Sequence, residues 1–308
     1  MNKLDINLKN LITTFKLLTK EMIYNNIKNN YLKIEDSNKK AIENFLGLFN
    51  YWGKLSFEQE EFEELEKRAE VLKNHADDFL YLYNNLEDYR SKQVLYGILN
   101  YWYNNCFEEL DKSRENNFNQ YFDLDLIDVK DNEVFVDVGA YTGDTILNYI
   151  NSYGKYKHIY GYEITLDSIK IMQNNLKDYD NIIIKRKALS DTRNDFFINS
   201  NEASASANTL SNFGSDKVSS VTLDEDIKEK VTLIKMDIEG GEEKALIGAI
   251  NHIKKDTPKL LISVYHNHDD LWKIPKLINT INENYKFYLR YFGNKYYPTE
   301  VVLMALPK

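Results

Sequence analysis

The chain has 308 residues, 43% hydrophobic and 28% charged, with 39 Lys and Arg against 48 Asp and Glu for a formal net charge of −9. That length holds two domains of roughly 100 to 200 residues, or one domain with a cap, and with this composition it excludes a peptide, a disulfide knot, a disordered chain or a fibre. The acidic balance argues against nucleic acid or an anionic membrane surface as partner. The lone Cys106 reads as a buried helix position, and one cysteine without metal-ligand spacing points to a reducing compartment.

Lys3, Asp5, Lys9, Lys16 and Lys20 interrupt the first apolar stretch, so no export segment is expected there; nor does any window reach the roughly 18 apolar residues of a membrane span. The expectation is a cytoplasmic protein. The many Asn, Lys, Ile and Tyr residues read as a compositional bias of the source, bacterial in character. Up to about residue 125 apolar residues recur at helical spacing, as in Leu4, Leu8, Leu11, Phe15 and Leu95, Ile98, Leu99, Trp102. Four or five helices are predicted, with breaks at Asp36 to Asn38 and Gly53 to Ser56, and with Ser56 capping the next helix. The Glu-rich run Glu58 to Glu66 reads as a solvated helix face, and Trp52 and Trp102 as core.

From residue 126 to 308 the pattern changes to short apolar runs at Glu133–Val138, Ile159–Tyr162, Ile182–Ile184, Val231–Met236, Leu260–Tyr265, Tyr285–Arg290 and Val301–Leu306. Amphipathic stretches near 144–152, 166–177, 241–254 and 270–283 lie between several of them. Strands that alternate with helices make a mostly parallel sheet covered on both faces, because parallel neighbours need crossover connections. The predicted fold class is therefore α/β, a doubly wound sheet behind an all-helical N-terminal domain. Ser200 to Ser215, rich in Ser, Asn and Ala, reads as a mobile loop between strands.

The chemistry concentrates where the first strand, Val134-Phe135-Val136-Asp137-Val138, runs into Gly139-Ala140-Tyr141-Thr142-Gly143-Asp144-Thr145 and a helix. Gly139 allows a sharp turn at the strand's carboxyl end, and Gly143 allows close approach at the helix start. A dinucleotide fold would want G-x-G-x-x-G with a bare helix terminus for pyrophosphate. Here the spacing differs and Asp137 and Asp144 would repel phosphate, so the ligand is read as a nucleoside carrying a cation. S-adenosylmethionine meets that description, with Asp137 facing its amine directly or through water. Glu163 ends the second strand, where a carboxylate accepts ribose hydroxyls, and Ala188 and Ser190 would border adenine.

The fourth strand leads into Asp237-Ile238-Glu239-Gly240-Gly241-Glu242, and the fifth into Tyr265-His266-Asn267-His268. Ligands of open parallel sheets sit at the carboxyl ends of strands, so Asp237 and Glu239 would lie beside the transferred methyl. Glu242, in the first turn of a helix, reads as a structural acid.

Together these stretches resemble the FkbM family of methyltransferases. The resemblance covers about residues 121 to 308, and its most specific element is Lys235-Met236-Asp237-Ile238-Glu239-Gly240-Gly241-Glu242. It implies a class I, Rossmann-like methyltransferase domain whose last strand is antiparallel, with S-adenosylmethionine as donor and often O-methylation of sugars or natural products. It carries cofactor roles onto Asp137, Gly139, Gly143, Glu163 and Ala188, with Ala140, Tyr141, Asp144, Thr145 and Ser190 on the same loops. It carries active-site roles onto Asp237 and Glu239.

The base that takes the acceptor proton is read as His266, because histidine as a residue type is suited to proton transfer near neutrality and this one sits at a strand end, or Asp237. Asp237, Glu239 and His266 would be the ligands if a divalent cation took part, which is not the favoured reading. His268, Asn267 and the Ser204 to Ser211 loop are weaker candidates for acceptor contact or a lid. The expected acceptor is a small molecule or saccharide, with exposed apolar faces of the helical domain available for a homodimer. The alternatives are an N-methyltransferase of a small molecule and a non-catalytic S-adenosylmethionine-binding assembly protein.

Overall fold

The computed structural model describes residues 2–49, 51–199, 201, 208–211, 214, 216–294 and 296–308. The chain divides into two compact units, Met1–Asn116 with Val264–Pro275 and Lys286–Leu303, and Asn117–Ser263 with Lys276–Tyr285 and Met304–Lys308. Where the sequence suggests one boundary near residue 125, the chain returns to the first unit twice after residue 263.

The first unit contains helices α1 (Lys3–Leu17), α2 (Lys20–Leu32), α3 (Asp36–Leu48), α4 (Glu63–Asn74), α5 (Ala76–Asn85), α6 (Tyr89–Asn104) and the single turn α7 (Glu108–Asp111), more than the four or five expected. Their starts follow capping chemistry. Asn2 and Asp5 form a reciprocal capping box on α1, and the Thr19 hydroxyl and the Asp88 carboxylate accept from Met22 N and Ser91 N. Leu8, Phe15, Ile23, Ile27, Leu65 and Phe79 are fully buried at the expected helical spacing.

Several local expectations are corrected in this unit. Asp36 begins α3 rather than marking a break. Ser56 does not cap the acidic helix: its backbone pairs with Glu61 in both directions, which delays the helix to Glu63. Within the Glu-rich run, Glu64 is completely buried and not part of a solvated face. Arg68 donates to it through Nε at 2.9 Å and the Tyr297 hydroxyl at 2.6 Å, so its charge is neutralised where water is absent. Cys106 is exposed, because α6 stops at Asn105, a left-handed residue with φ +52°, before the cysteine can reach the core. Trp52 and Trp102 are buried as expected.

The α/β part of the chain carries a seven-stranded sheet in the order β10-β11-β9-β8-β1-β2-β3, formed by β1 (Val134–Val138), β2 (His158–Glu163), β3 (Ile182–Arg186), β8 (Leu233–Met236), β9 (Lys259–Ser263), β10 (Tyr285–Tyr291) and β11 (Val301–Pro307). Strands β9, β8, β1, β2 and β3 pair in parallel, and the antiparallel strands β10 and β11 form the edge. Helices α8 (Asp144–Tyr153) and α9 (Leu166–Asn175) make the crossovers from β1 to β2 and from β2 to β3. All five β1 residues are buried, the expected result for a strand paired on both sides and covered on both faces.

A second sheet, order β4-β7-β5-β6, is built from β4 (Ala188–Leu189), β5 (Asp195–Asn199), β6 (Thr209–Ser211) and β7 (Lys217–Val221). The stretch read as a loop from Ser200 to Ser215 therefore contains a strand at Thr209–Ser211; its residues 200, 202–207, 212, 213 and 215 lie outside the described residues, as does the first half, 204–207, of the suggested lid. After α10 (Leu223–Asp226), the helix expected over 241–254 is two, α11 (Glu242–Ile247) and α12 (Ile250–Lys255), and α13 (Asp270–Ile281) follows β9. The interruption falls at Gly248, where a Cβ would lie 2.0 Å from the carbonyl oxygen of Ser190. Among the described residues no helix is long and apolar enough to cross a membrane.

Candidate active site

Strand β1 has β2 on one side and β8 on the other, and the chain leaves it in opposite directions across the sheet, so its carboxyl end is the switch point where open parallel sheets place ligands. There the second unit holds a cavity of about 570 Å³, within the roughly 300 to 1,000 Å³ usual for a small-molecule site. Its walls come from the ends of β1, β2 and β8, from β4, and from the hairpin of β5 and β6.

Gly139 forms the floor of the turn after β1. With φ +76° it occupies a conformation that L side chains rarely adopt, and a Cβ there would stand 1.9 Å from the carbonyl oxygen of Asp237. The glycine thus lets the β1 and β8 loops touch. Glu163, at the end of β2, is 8% exposed. Its Oε2 accepts from Tyr141 N at 2.9 Å, and its Oε1 accepts from Ile164 N and Thr165 N, each at 2.8 Å. Three main-chain donors therefore hold one carboxylate at the wall of the cavity, with one lone-pair position on Oε2 left for a hydroxyl donor. Opposite chemistry is supplied by Ala188, Leu189, Phe196 and Leu210, an apolar slot next to the polar Ser190 and Asn208.

Asp237 and Glu239 both line the cavity. Asp237 is half-buried, and its Oδ2 accepts from the Tyr121 hydroxyl at 2.7 Å. Glu239 and Gly240 take left-handed φ values of +59° and +94°, which turns the chain back toward α11. Glu242 closes this turn by accepting from Ile238 N at 2.9 Å, in agreement with its reading as a structural acid. Deeper in the sheet, Asp137 is fully buried beside Lys235, with Nζ 3.1 Å from Oδ1. Burial pushes the Asp137 carboxyl up to about 6 against the pull of Lys235; burial alone would pull Lys235 down, but the charges of Asp137 and Asp237 outweigh it and leave it raised.

A family model described as the methyltransferase FkbM domain matches residues 137–296. The chain belongs to the FkbM methyltransferase family. A crystal structure of the methyltransferase FkbM from Methylobacillus flagellatus KT aligns with this FkbM chain at TM-score 0.66 and 25% identity, covering 78% of this chain and 62% of that one. The FkbM chain therefore spans less than two thirds of that structure's length. An rRNA methylase from Streptococcus thermophilus aligns at TM-score 0.38 and 14% identity, over 58% of this chain and 89% of that one. Aeropyrum pernix fibrillarin with natively bound S-adenosyl-L-methionine aligns at TM-score 0.38 and 14% identity, over 59% and 70%. No curated protein matches the FkbM chain.

Of the residues singled out from sequence, Gly139, Glu163, Ala188, Ser190, Asp237 and Glu239 come together on the cavity of this FkbM domain. Ala140, Tyr141, Gly143, Asp144, Thr145 and Asp137 lie outside its lining. Tyr141 instead supplies the amide that holds Glu163, and Gly143 serves helix packing, since a Cβ there would meet Met172 Cγ at 2.9 Å. His266 and His268 belong to the first unit. There His266 is buried between the rings of Tyr51 and Tyr265, and His268 Nε2 lies 3.0 Å from the Tyr297 hydroxyl.

Sequence reasoning missed Tyr121, Lys235, Lys187, Lys244 and the hairpin residues Phe196, Asn208 and Leu210. Lys235 carried a signal, a lone cation inside an otherwise apolar parallel strand. The hairpin carried only a short signal, the apolar run Phe196-Phe197-Ile198 in β5, while the three residues Thr209–Ser211 of β6 sit in a Ser- and Asn-rich stretch that looks like loop.

Proposed function

We propose that this chain is an S-adenosylmethionine-dependent O-methyltransferase acting on a hydroxyl of a sugar, a surface-glycan precursor or another small metabolite. The observation that carries the reading is the Glu163 carboxylate, fixed by three amides on the wall of a nucleoside-sized cavity beside the Gly139 turn. The residues fit the donor: a carboxylate for ribose, an apolar slot at Ala188, Leu189 and Phe196 for a base, and the acids Asp237 and Glu239 for positive charge.

The bound donor would supply a sulfonium methyl open to in-line attack. The chain's task is then to hold the acceptor oxygen about 3 Å from that methyl and to receive its proton. Asp237 suits the second role. Tyr121 donates to Oδ2 at 2.7 Å, which fixes the orientation of the carboxylate on the cavity wall.

Calorimetric titration with S-adenosylhomocysteine tests the donor site, with micromolar binding expected. Transfer of tritiated methyl from S-adenosylmethionine to a panel of free and nucleotide-linked sugars tests the acceptor class. Label found only in amines would replace the O-methyl reading by N-methylation. Donor binding with no transfer to any hydroxyl or amine would favour a non-catalytic assembly role.

A further inference from the structure

Every residue of β8 is buried, yet its third position is Lys235, only 2% exposed. Its register partner on β1 is Asp137, so the two side chains leave neighbouring strands side by side. They form an ion pair at 3.1 Å. A buried pair of this kind stabilises a fold weakly, because the desolvation of both ions offsets their attraction, and well-packed apolar residues commonly serve as well. Its presence calls for another role.

That role is visible in the second contact of the ammonium. Lys235 Nζ donates to the carbonyl oxygen of Gly139 at 2.8 Å, with the Val138 carbonyl at 3.4 Å and the Tyr121 ring centroid 5.3 Å away. The Gly139 N–H donates to Tyr162 O at 3.0 Å. Both ends of the glycine are therefore tied from inside the sheet, while the residue itself lines the cavity.

We propose that Lys235 is a positioning residue for the donor nucleoside: its ammonium, held by Asp137, fixes the Gly139 carbonyl and with it the shape of the cavity wall. The inference rests on the donor reading above and names the residue that preorganises that site. A methylene chain in place of the ammonium would leave the turn free to rotate its peptide toward the ligand.

The test is calorimetric titration of the full chain with S-adenosylhomocysteine, with the thermal midpoint of each variant recorded alongside. Lys235→Met is combined with Asp137→Asn, so that no lone charge is left buried, and a milder pair joins Lys235→Gln with Asp137→Asn and keeps an N–H donor. The expected order of affinity is wild type, then the Gln pair, then the Met pair, with at least tenfold between the first and the last. Folded variants that bind within twofold of wild type would overturn the proposal. If the Met pair does not fold, the Gln pair decides, weakening by threefold or more supporting the role and unchanged affinity refuting it. Absence of binding by folded wild type would instead remove the donor reading, and this inference with it.

Discussion

Replacing Glu163 perturbs both the architecture and the proposed chemistry of the cavity, in amounts that can be separated. In Glu163→Ala the amides of Tyr141, Ile164 and Thr165 lose their acceptor. A buried orphan donor costs about 1–3 kcal/mol, and partial access to water at this rim reduces the sum, so stability should fall by about 2–5 kcal/mol. Ligand affinity falls for a different reason. A hydrogen bond to a charged acceptor contributes about 1.5–3 kcal/mol, and since the three amides take three of the carboxylate's roughly four lone-pair positions, loss of the one left for a ribose hydroxyl predicts roughly 10- to 150-fold weaker binding.

Glu163→Gln separates the two effects. Its amide oxygen can still serve Ile164 and Thr165, while its NH2 group would face the Tyr141 N–H. Stability should then drop by about 1–3 kcal/mol while affinity for S-adenosylhomocysteine drops roughly tenfold. Thermal unfolding and calorimetry on wild type and both variants read these quantities. Variants that are folded and bind within twofold of a binding wild type would refute the assignment of Glu163 to the ligand, leaving it a loop-ordering residue only.

Gly139→Ala should lower the unfolding midpoint and weaken S-adenosylhomocysteine at least tenfold, since its Cβ would meet the Asp237 carbonyl in a left-handed conformation; titration near wild-type values would show that the two loops can part freely. Asp237→Asn should weaken donor affinity about tenfold or less, through loss of one of the two acids that face its positive charge, and reduce methyl transfer by about 100-fold beyond that, in line with general-base loss; equal loss of both would make Asp237 a binding residue only. Burial pushes Glu64 up, but Arg68, with His268 and Tyr297, outweighs it and holds the carboxyl down at about 2. Its stabilisation is therefore present above the ordinary value of 4.5 and lost as pH falls toward 2, an effect of about 3 kcal/mol that should vanish in Glu64→Gln when unfolding is followed against pH. Asp137 has the opposite sign: raised to about 6, it favours the fold below 3.8 and loses that contribution as pH rises through 6. The midpoint of Asp137→Asn relative to wild type should accordingly climb between pH 4 and 7, and a flat difference would contradict the burial argument.

What local sequence determined is what short-range physics determines. Apolar periodicity marked the seven strands of the main sheet, glycine at 139 marked the turn that no side chain fits, and the acids at 163, 237 and 239 lay at strand ends because parallel pairing through crossovers leaves them nowhere else. The family was legible for the same reason, its motifs being contiguous.

Tertiary structure decided what depends on partners far along the chain. Asp137 looked like a ligand for an amine until β8, about a hundred residues later, brought Lys235 into register beside it. Glu64 looked solvated because its helix neighbours are acidic, yet Tyr297, 233 residues away, supplies a buried donor. Tyr121 had no motif at all, and 116 residues separate it from the carboxylate it orients. A charge in a sequence carries no sign of whether folding will give it water or a counter-ion; only the assembled neighbours set that dielectric, and with it the role of the residue.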